Sequence, residues 1–206
     1  MRTSHRDDVR IGRPRRAVLL IGLPGAGKST LTNALVTTYG CASLSPGEWL
    51  RRRAQSGAPQ VAARLRHGLP MDKQQSEMFI DLALTRIRHN DCSVVMDGFP
   101  RTTAQVGWLR DSLNDQADVP RPVGVYLRIP AVVALNRLGR RSRRSGEEHL
   151  RPEARLTVEA APLSACHAAL RQEWPVLELD GCQAVDDLAA STALWLAELG
   201  PKGQQH

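Results

Sequence analysis

A glycine-rich segment near the N-terminus constrains the fold of this chain more than any other feature. Residues 22–29 read GLPGAGKS, which matches the spacing G-x-x-x-x-G-K-[ST]. The apolar run AVLLIG precedes this segment, and residues of helical spacing follow it. In such a strand–loop–helix unit, glycines allow backbone N–H groups to converge at the N-terminus of the helix, where an anion is stabilised. The sequence therefore predicts a site for the phosphates of a nucleotide.

The residue types in this loop predict a division of roles. Lys28 is expected to reach the β- and γ-phosphates, and the Ser29 hydroxyl is expected to bind Mg²⁺. An acidic partner for the metal is normal at the end of a neighbouring buried strand, and Asp97 ends the run SVVMD. Mg²⁺ bound with ATP is therefore the predicted cofactor. The predicted ATP-binding residues are Gly22, Gly25, Ala26, Gly27, Lys28, Ser29 and Thr30.

Short apolar runs alternate along the chain with longer segments of helical spacing. The predicted strands are residues 17–22, 41–44, 93–97, 123–129 and 176–180. The predicted helices include residues 28–39, 74–88 with the apolar stripe Met78, Phe79, Leu82, Ala83 and Ile87, and 185–199 with Leu188, Trp195 and Leu199. This alternation predicts an α/β fold in which helices flank a five-stranded parallel sheet, and the phosphate loop makes it a P-loop NTPase fold.

The 206 residues are interpreted as one domain with terminal extensions. Residues 1–16 carry six arginines and little apolar periodicity, so they are predicted to be a basic flexible tail. Residues 17–199 form the predicted domain, and residues 200–206 form a C-terminal tail. The chain lacks an apolar secretory signal and any run long enough to cross a bilayer, so we expect a cytoplasmic protein with no membrane partner.

Charge and cysteine content narrow the classes of partner. The net charge is +7, but 25 of the 28 basic residues are arginine, aromatic residues make up 4%, and no nucleic-acid-binding module is recognisable. We therefore expect small-molecule nucleotides rather than nucleic acid. The four cysteines show no C-x-x-C spacing, which argues against a zinc site. A monomer is the expected state.

A second motif lies at the end of the third predicted strand. Residues 97–102 read DGFPRT, and Gln105 follows at the spacing of the DGFPRT…Q signature. Together with GLPGAGKS, this segment resembles the adenylate kinases and related nucleoside monophosphate kinases. The resemblance implies that Arg101 is catalytic and grips the acceptor phosphate, while Gln105 reads the adenine edge. A planar guanidinium matches a phosphate, and a carboxamide offers the paired donor and acceptor that a purine requires.

Between these motifs, residues 44–51 read LSPGEWLR, which resembles the STGDxLR segment of the same family. The resemblance implies a small helical acceptor-binding insertion at about residues 45–75, with Ser45 and Pro46 beside the acceptor and Arg51 as its second phosphate-binding arginine. Pro46 stands where the family has threonine, and it offers neither a hydroxyl nor an N–H group. Ser45 and Glu48 also form the pattern of a capping box, with proline at the first helical position.

The arginines after residue 130 carry a third part of the resemblance. The family places arginines before, within and after a mobile lid, which implies catalytic roles for Arg137, Arg141, Arg144 and Arg155 in neutralising the transferring phosphoryl group. Pre-placed cations stabilise the charge of a loose transition state. The lid predicted at about residues 141–144 is very short, and no cysteine lies near it to hold zinc.

The resemblance implies an enzyme that transfers the γ-phosphate of Mg-ATP to a nucleoside monophosphate, with AMP as the first candidate and two ADP as products. An acceptor phosphate is already an anionic nucleophile, so no general base is required. Two alternatives stay open. The acceptor is another nucleotide or a small metabolite, for which a hydroxyl would need a nearby carboxylate base, or the chain binds nucleotides with little turnover.

Overall fold

The structure of the protein is a computed structural model that describes residues 15–56, 69–89, 92–114, 116–145 and 151–199. Within these ranges the chain forms five strands and seven helices. The strands are β1 (Ala17–Gly22), β2 (Ala42–Leu44), β3 (Val94–Asp97), β4 (Val123–Arg128) and β5 (Val176–Asp180). The helices are α1 (Lys28–Tyr39), α2 (Pro46–Gln55), α3 (Lys73–His89), α4 (Thr103–Asn114), α5 (Ala131–Ser145), α6 (Pro152–Glu173) and α7 (Val185–Glu198).

The five strands form one parallel sheet in the order β2-β3-β1-β4-β5. Strand β1 lies at the centre, between β3 and β4, and every one of its residues is buried. Its side chains alternate between the two faces, with Leu19 in one apolar cluster and Leu20 in the other. A strand covered on both faces requires a continuous apolar run, and AVLLIG supplies it. The predicted five-stranded parallel sheet is confirmed.

Helices cover both faces of the sheet. One face packs against α3, α4 and α6 through side chains that include Phe79, Leu109 and Leu170. The other face packs against α1, α5 and α7 through Leu31, Leu138 and Leu188. The second cluster also receives Trp195 and Leu199, which are partly buried, as their predicted place on the last helix requires. On α3 the predicted stripe is wrong at Met78, which is 38% exposed at the edge of the buried face.

Helices α2 and α3 begin with different local hydrogen bonds. At α3, the Gln75 N–H donates to Asp72 Oδ1 at 2.9 Å and the Asp72 N–H donates to Gln75 Oε1 at 3.3 Å, which is a reciprocal capping box. At α2, Pro46 occupies the first helical position as predicted, but the Ser45 side chain makes no capping hydrogen bond. The predicted capping box is wrong there, because Glu48 pairs with Arg52 one turn along the helix instead.

The domain begins before residue 17. Arg16 is 2% exposed, and its Nη2 donates to the Leu199 carbonyl at 3.2 Å. Its own carbonyl accepts a hydrogen bond from the Val94 N–H at 2.9 Å, and burial lowers the pKa of its guanidinium. Arg15 is exposed but donates to the Arg88 carbonyl at 3.3 Å. Arg15 and Arg16, which the prediction assigned to the tail, thus contact α3, β3 and the end of α7, and residues 1–14 of the predicted tail lie outside the described residues.

Two predicted segments lie partly outside the described residues. Residues 141–144, predicted as the lid, belong to the helical backbone of α5, and the side chains from residue 141 onward in that helix are outside the description. The predicted acceptor insertion at 45–75 is described at α2 and at the start of α3. Within the described part of the chain, no helix combines the length and apolarity needed to span a membrane.

A buried aromatic contact joins α2, α3 and the loop after β3, and it generates a stability prediction. The Phe79 ring lies 5.9 Å from the Trp49 ring in an edge-on arrangement and 5.2 Å from the Phe99 ring. Phe79→Ala is expected to lower the free energy of unfolding by about 3–5 kcal/mol, because it leaves a cavity at this junction. Urea unfolding followed by circular dichroism measures the loss. The control Met78→Ala removes a partly exposed neighbour and is expected to cost less than about 1 kcal/mol. Equal losses would contradict the assigned burial.

Candidate active site

Two loops with predicted functions meet at the carboxyl edge of the sheet. Strand β1 leads into the glycine-rich loop, and its neighbour β3 leads into the loop that begins at Gly98. Leu20 and Asp97 are partners in the parallel register, and the Gly98 N–H donates to the Leu20 carbonyl at 2.9 Å. In α/β sheets, ligands usually bind at the carboxyl ends of two adjacent strands whose following connections run to opposite faces of the sheet. The sheet therefore brings both sequence motifs to one edge.

The glycine-rich loop adopts the geometry of an anion site. Gly27 has φ 98°, a left-handed conformation suited to glycine, and it caps the N-terminus of α1 without any side-chain hydrogen bond. The Lys28 Nζ donates to two carbonyls of its own loop, at 2.7 Å to Gly22 and 3.0 Å to Leu23. Ser29 is exposed in the first turn of the helix. The loop thus places a cation and the helix N-terminus together, the combination that stabilises phosphate.

The residues predicted to hold Mg²⁺ fit that ion. Asp97 is the last residue of β3 and is half-buried. Ser29 lies in the first turn of α1, after the glycine-rich loop that follows the adjacent strand β1. A carboxylate and a hydroxyl are hard oxygen ligands, and Mg²⁺ normally takes one or two such groups together with water and substrate phosphates. Among the described residues no group of three or more His, Cys, Asp or Glu side chains is assembled for a metal. The donor set suits a metal that enters with the nucleotide.

The side chains of Arg101 and Lys28 both lie close to Gly98. The Arg101 Nε donates to the Gly98 carbonyl at 3.0 Å. A Cβ placed on Gly98 would lie 3.3 Å from Arg101 Nη2 and 3.8 Å from Lys28 Cε, and Gly98 itself has φ 78°. Glycine is favoured here because a side chain would be strained at this φ and its Cβ would crowd the Arg101 guanidinium. Two cations from separate motifs are thereby held side by side.

These cations open onto a cleft of about 650 Å³, including its mouth. The opposite wall belongs to α6, where Val158, Glu159, Pro162 and Leu163 line the cleft. Val158 is 64% exposed and offers an apolar surface, while Glu159 adds one carboxylate. Pro162 lacks an N–H group and cannot complete the helical hydrogen bond to the Val158 carbonyl. The remaining lining residues are Ile21, Gly22, Lys28, Pro70, Gly98, Pro100, Arg101 and Thr102.

Gln105 does not line this cleft, contrary to its implied role as the adenine reader. The residue is 1% exposed. Its Oε1 accepts a hydrogen bond from the Arg101 N–H at 2.8 Å, and its Nε2 donates to the Met71 carbonyl and to Ser76 Oγ, both at 3.3 Å. The carboxamide is bonded to protein groups in this structure, and its role toward the acceptor base stays a prediction.

The other predicted arginines lie in different places relative to the glycine-rich loop and the cleft. Arg137 lies at the glycine-rich loop, where its Nη1 donates to the Gly181 carbonyl at 3.0 Å and to the Ala26 carbonyl at 3.3 Å. Arg51 is exposed on α2, with Nη1 3.5 Å from the position of a Cβ on Gly47, and it is not among the residues that line the cleft. The backbones of three more lie in α5 and α6, with their side chains outside the description: Arg141, Arg144 and Arg155.

The N-terminus of α2 also lies apart from the cleft. Ser45 precedes the helix and Pro46, its first residue, is buried, and neither is among the lining residues. Thr30 is exposed beside Ser29 in the first turn of α1. The described geometry thus brings together the phosphate loop, Asp97 and Arg101, and it leaves the α2 residues outside the cleft.

Three features of the site escaped the sequence interpretation. Thr102 Oγ1 accepts a hydrogen bond from the Gln105 N–H at 3.2 Å, and the pattern T-x-x-Q before an apolar run signals such a cap. Gly181 follows β5, where a Cβ would lie 3.0 Å from the Ala26 carbonyl, and a glycine after a strand signals a close approach. For Glu159 the local sequence carries no comparable signal.

Comparisons with known proteins agree with this geometry. A family model described as an AAA domain matches residues 21–152, more than half of the chain. An adenylate kinase from Methylobacterium radiotolerans is 30% identical over 199 residues, covering 84% of this chain and 92% of that protein. An adenylate kinase from Xylella fastidiosa is 26% identical over 184 residues, covering 87% of this chain and 98% of that protein.

Other relatives align over a shorter span. An adenylate kinase from Methanosarcina mazei is 32% identical over 129 residues, and the match covers 60% of this chain and 58% of that protein. A crystal structure described as a gluconokinase from Sinorhizobium meliloti 1021 superposes with a TM-score of 0.62 at 20% identity, covering 92% of this chain and 95% of that one. The superposition confirms the P-loop kinase fold. The chain belongs to the adenylate kinase family of P-loop kinases.

Proposed function

We propose that this chain transfers the γ-phosphate of Mg-ATP to a nucleoside monophosphate, with AMP as the first candidate acceptor. The observation that carries the proposal is the pair of cationic side chains at Gly98, where Lys28 from the glycine-rich loop and Arg101 from the second motif both lie close to one glycine. Phosphoryl transfer requires a donor phosphate and an acceptor phosphate to meet in line. Similarity to adenylate kinases over most of the chain supports the same reaction class.

The chain's own groups account for the chemical requirements of this reaction. Backbone N–H groups at the start of α1 and the Lys28 ammonium stabilise the charge of the donor phosphates. Arg101 holds the acceptor phosphate, which is already anionic and needs no base. Ser29 and Asp97 would hold Mg²⁺, which would neutralise part of the negative charge of the nucleotide phosphates. The protein contributes positioning and electrostatic stabilisation rather than a covalent intermediate.

The remaining arginines have proposed supporting roles. Arg137 ties the glycine-rich loop to the turn after β5 through two carbonyls, and this contact keeps a cation beside the donor phosphates. Arg141, Arg144 and Arg155 are proposed to add positive charge from α5 and α6. Arg51 would have to turn away from its own helix to act on the acceptor, since it now lies beside Gly47.

A second candidate is transfer to a hydroxyl group of a small metabolite. Glu159 and Arg101 both line the cleft, and a carboxylate in the cleft suits the activation of a hydroxyl acceptor. The fold is shared with a protein described as a gluconokinase. The buried carboxamide of Gln105 weakens the specific case for AMP. Comparing phosphate acceptors with hydroxyl acceptors separates the two candidates.

Lys28→Ala is expected to lower turnover by roughly 10²-fold or more, because it removes the cation that stabilises the donor phosphates. A coupled assay of ATP consumption with AMP measures the rate, and circular dichroism checks the fold. Lys73→Ala is the matched control, because Lys73 is exposed and pairs only loosely with Glu77 at 3.8 Å. Activity of Lys28→Ala within about tenfold of wild type would contradict the assigned role.

Arg101→Ala is expected to lower kcat/KM for the acceptor by about ten- to hundredfold, because it removes a charge-assisted hydrogen-bond donor from the acceptor side of the cleft. The KM for ATP is expected to stay near the wild-type value. Steady-state kinetics with each substrate varied in turn makes the measurement. Arg110→Ala, which removes an exposed arginine on α4, is the control. An unchanged acceptor KM with retained turnover would refute the proposed grip.

Acceptor selectivity is expected to be weak. AMP should be the best natural acceptor, but CMP, UMP and GMP should follow within about tenfold, because Pro46 lies outside the cleft and the Gln105 carboxamide would have to leave its protein partners to contact a base. A panel of these monophosphates with gluconate and nucleosides, analysed for phosphorylated products, makes the test. Inert AMP together with a strongly preferred hydroxyl compound would replace the first proposal by the second.

A further inference from the structure

We propose that Glu159 is a specificity-determining residue that accepts hydrogen bonds from the sugar hydroxyls of the acceptor, so that the enzyme prefers a ribonucleoside monophosphate to its 2′-deoxy form. The inference rests on the proposed function, which assigns the acceptor phosphate to Arg101. It concerns the sugar, a part of the acceptor that neither sequence motif addresses. Three observations support it: the charges that line the cleft, the depth at which Glu159 lies, and the hydrogen-bonding groups on the α6 side.

The charged side chains of the cleft come from different elements. Among the described residues that line it, three carry charge: Lys28, Arg101 and Glu159. The two cations belong to the loop and helix start after β1 and to the loop after β3, whereas the carboxylate belongs to α6. A carboxylate repels a phosphate and cannot donate a hydrogen bond to it. A bound acceptor is therefore expected to direct its phosphate to the cations and an uncharged hydrogen-bond donor to Glu159.

Glu159 lies between the mouth and the floor of the cleft. Val158, which precedes it, is 64% exposed, and Leu163, one helical turn further along the same face of α6, is 8% exposed. Both residues line the cleft, and Glu159 itself is half-buried. Water competes less for a half-buried carboxylate than for one on the open surface, which strengthens its hydrogen bonds to a ligand. The depth of Glu159 thus suits contact with a bound molecule.

The α6 side of the cleft is rich in hydrogen-bond acceptors. Pro162 has no N–H group to give to the Val158 carbonyl, and both residues line the cleft. An ionised Glu159 carboxylate adds two oxygens that only accept hydrogen bonds. On the other side, the carbonyls of Gly22 and Gly98 already accept hydrogen bonds from the two cations. The α6 side therefore complements the part of a ligand that carries donors.

In a nucleoside monophosphate, the sugar is the part that brings donors closest to the phosphate. A single ester linkage joins the two, so a phosphate at Arg101 places the sugar in the same cleft as Glu159. The 2′- and 3′-hydroxyls are neighbours, and one carboxylate has enough oxygens to accept from both. Hydrogen bonds to a charged group are stronger than those between neutral groups. The sugar hydroxyls are therefore the expected partners of Glu159.

The test alters the residue and the hydroxyl separately and together. Wild type, Glu159→Ala and Glu159→Gln are each measured with AMP, 2′-deoxy-AMP and 2′,3′-dideoxy-AMP. Glu153→Ala is the matched control, because Glu153 is an exposed glutamate in the first turn of the same helix and does not line the cleft. The measurements are kcat and KM for each acceptor, the KM for ATP, the melting temperature, and the calorimetric dissociation constant of each acceptor without ATP.

Wild type is expected to favour AMP over 2′-deoxy-AMP by about ten- to hundredfold, both in kcat/KM and in the dissociation constant. In Glu159→Ala this ratio is expected to fall to within about threefold, because residue and hydroxyl lose the same interaction. Glu159→Gln is expected to give an intermediate ratio, since its carbonyl oxygen still accepts but carries no charge. Glu153→Ala is expected to keep the wild-type ratio.

Removing a negative charge near the cations is also expected to change phosphate binding by a common factor for all three acceptors. The ratio between acceptors is therefore the diagnostic quantity, and the absolute rate is not. The proposal is overturned if wild type treats AMP and 2′-deoxy-AMP alike within about threefold, or if Glu159→Ala keeps the wild-type ratio. Lost turnover in Glu159→Ala with an unchanged binding ratio would overturn it too, by assigning Glu159 to the chemical step.

Failure of the proposed function gives a different pattern. A wild type that binds AMP with a preference that depends on Glu159, yet phosphorylates none of the three acceptors, would refute the transfer reaction and retain the sugar contact. A wild type that phosphorylates AMP and 2′-deoxy-AMP equally well would retain the reaction and refute the contact. A wild type that binds no AMP would overturn both.

Discussion

The parallel pairing of β1 with β3 is the constraint on which the candidate site depends. Leu20 lies opposite Asp97, and the Gly98 N–H continues the pairing to the Leu20 carbonyl at 2.9 Å. This register fixes how far the donor loop stands from the acceptor loop. The proposed phosphoryl transfer requires cations on both reacting phosphates, and neither Lys28 nor Arg101 reaches the other through its own local structure. The hydrogen bonds of the sheet, with the buried apolar faces that hold it, bring them to the same glycine.

The fold was largely predictable from sequence because its signals are periodic or local. The predicted bounds of β1, β5 and α1 are those of the structure, since a buried central strand needs an unbroken apolar run and glycines 27 and 40 bound the helix. Prediction failed where a side chain contradicted the average behaviour of its type. Arg16 looked like part of a charged tail, yet its guanidinium bonds a carbonyl at the end of α7. Met78 fell at the edge of a helical stripe, where burial changes within one residue.

The candidate site was predictable only where one motif determines its own geometry. The glycine-rich loop needs nothing beyond its strand and helix to form an anion site, so its residues were found together. The α6 wall comes from more than 50 residues after Arg101, and no spacing in the sequence relates Glu159 to that arginine. At α2, Ser45 and Glu48 have the spacing of a capping box, but the Glu48 carboxylate pairs with Arg52 one turn away instead of capping the helix. Local patterns do not record such competition.

Gln105 shows what a motif match specifies and what it leaves open. The match places a carboxamide four residues after Arg101, and it does not say which groups that carboxamide meets. In this chain the first turn of α4 directs it into the core, where Met71 and Ser76 satisfy its donors. A buried amide bonded on every side stabilises a loop, whereas the same amide at an open edge discriminates between bases. Because the energetic cost of an unpaired buried polar group is large, the use of such an amide depends on the partners available to it as well as on the motif.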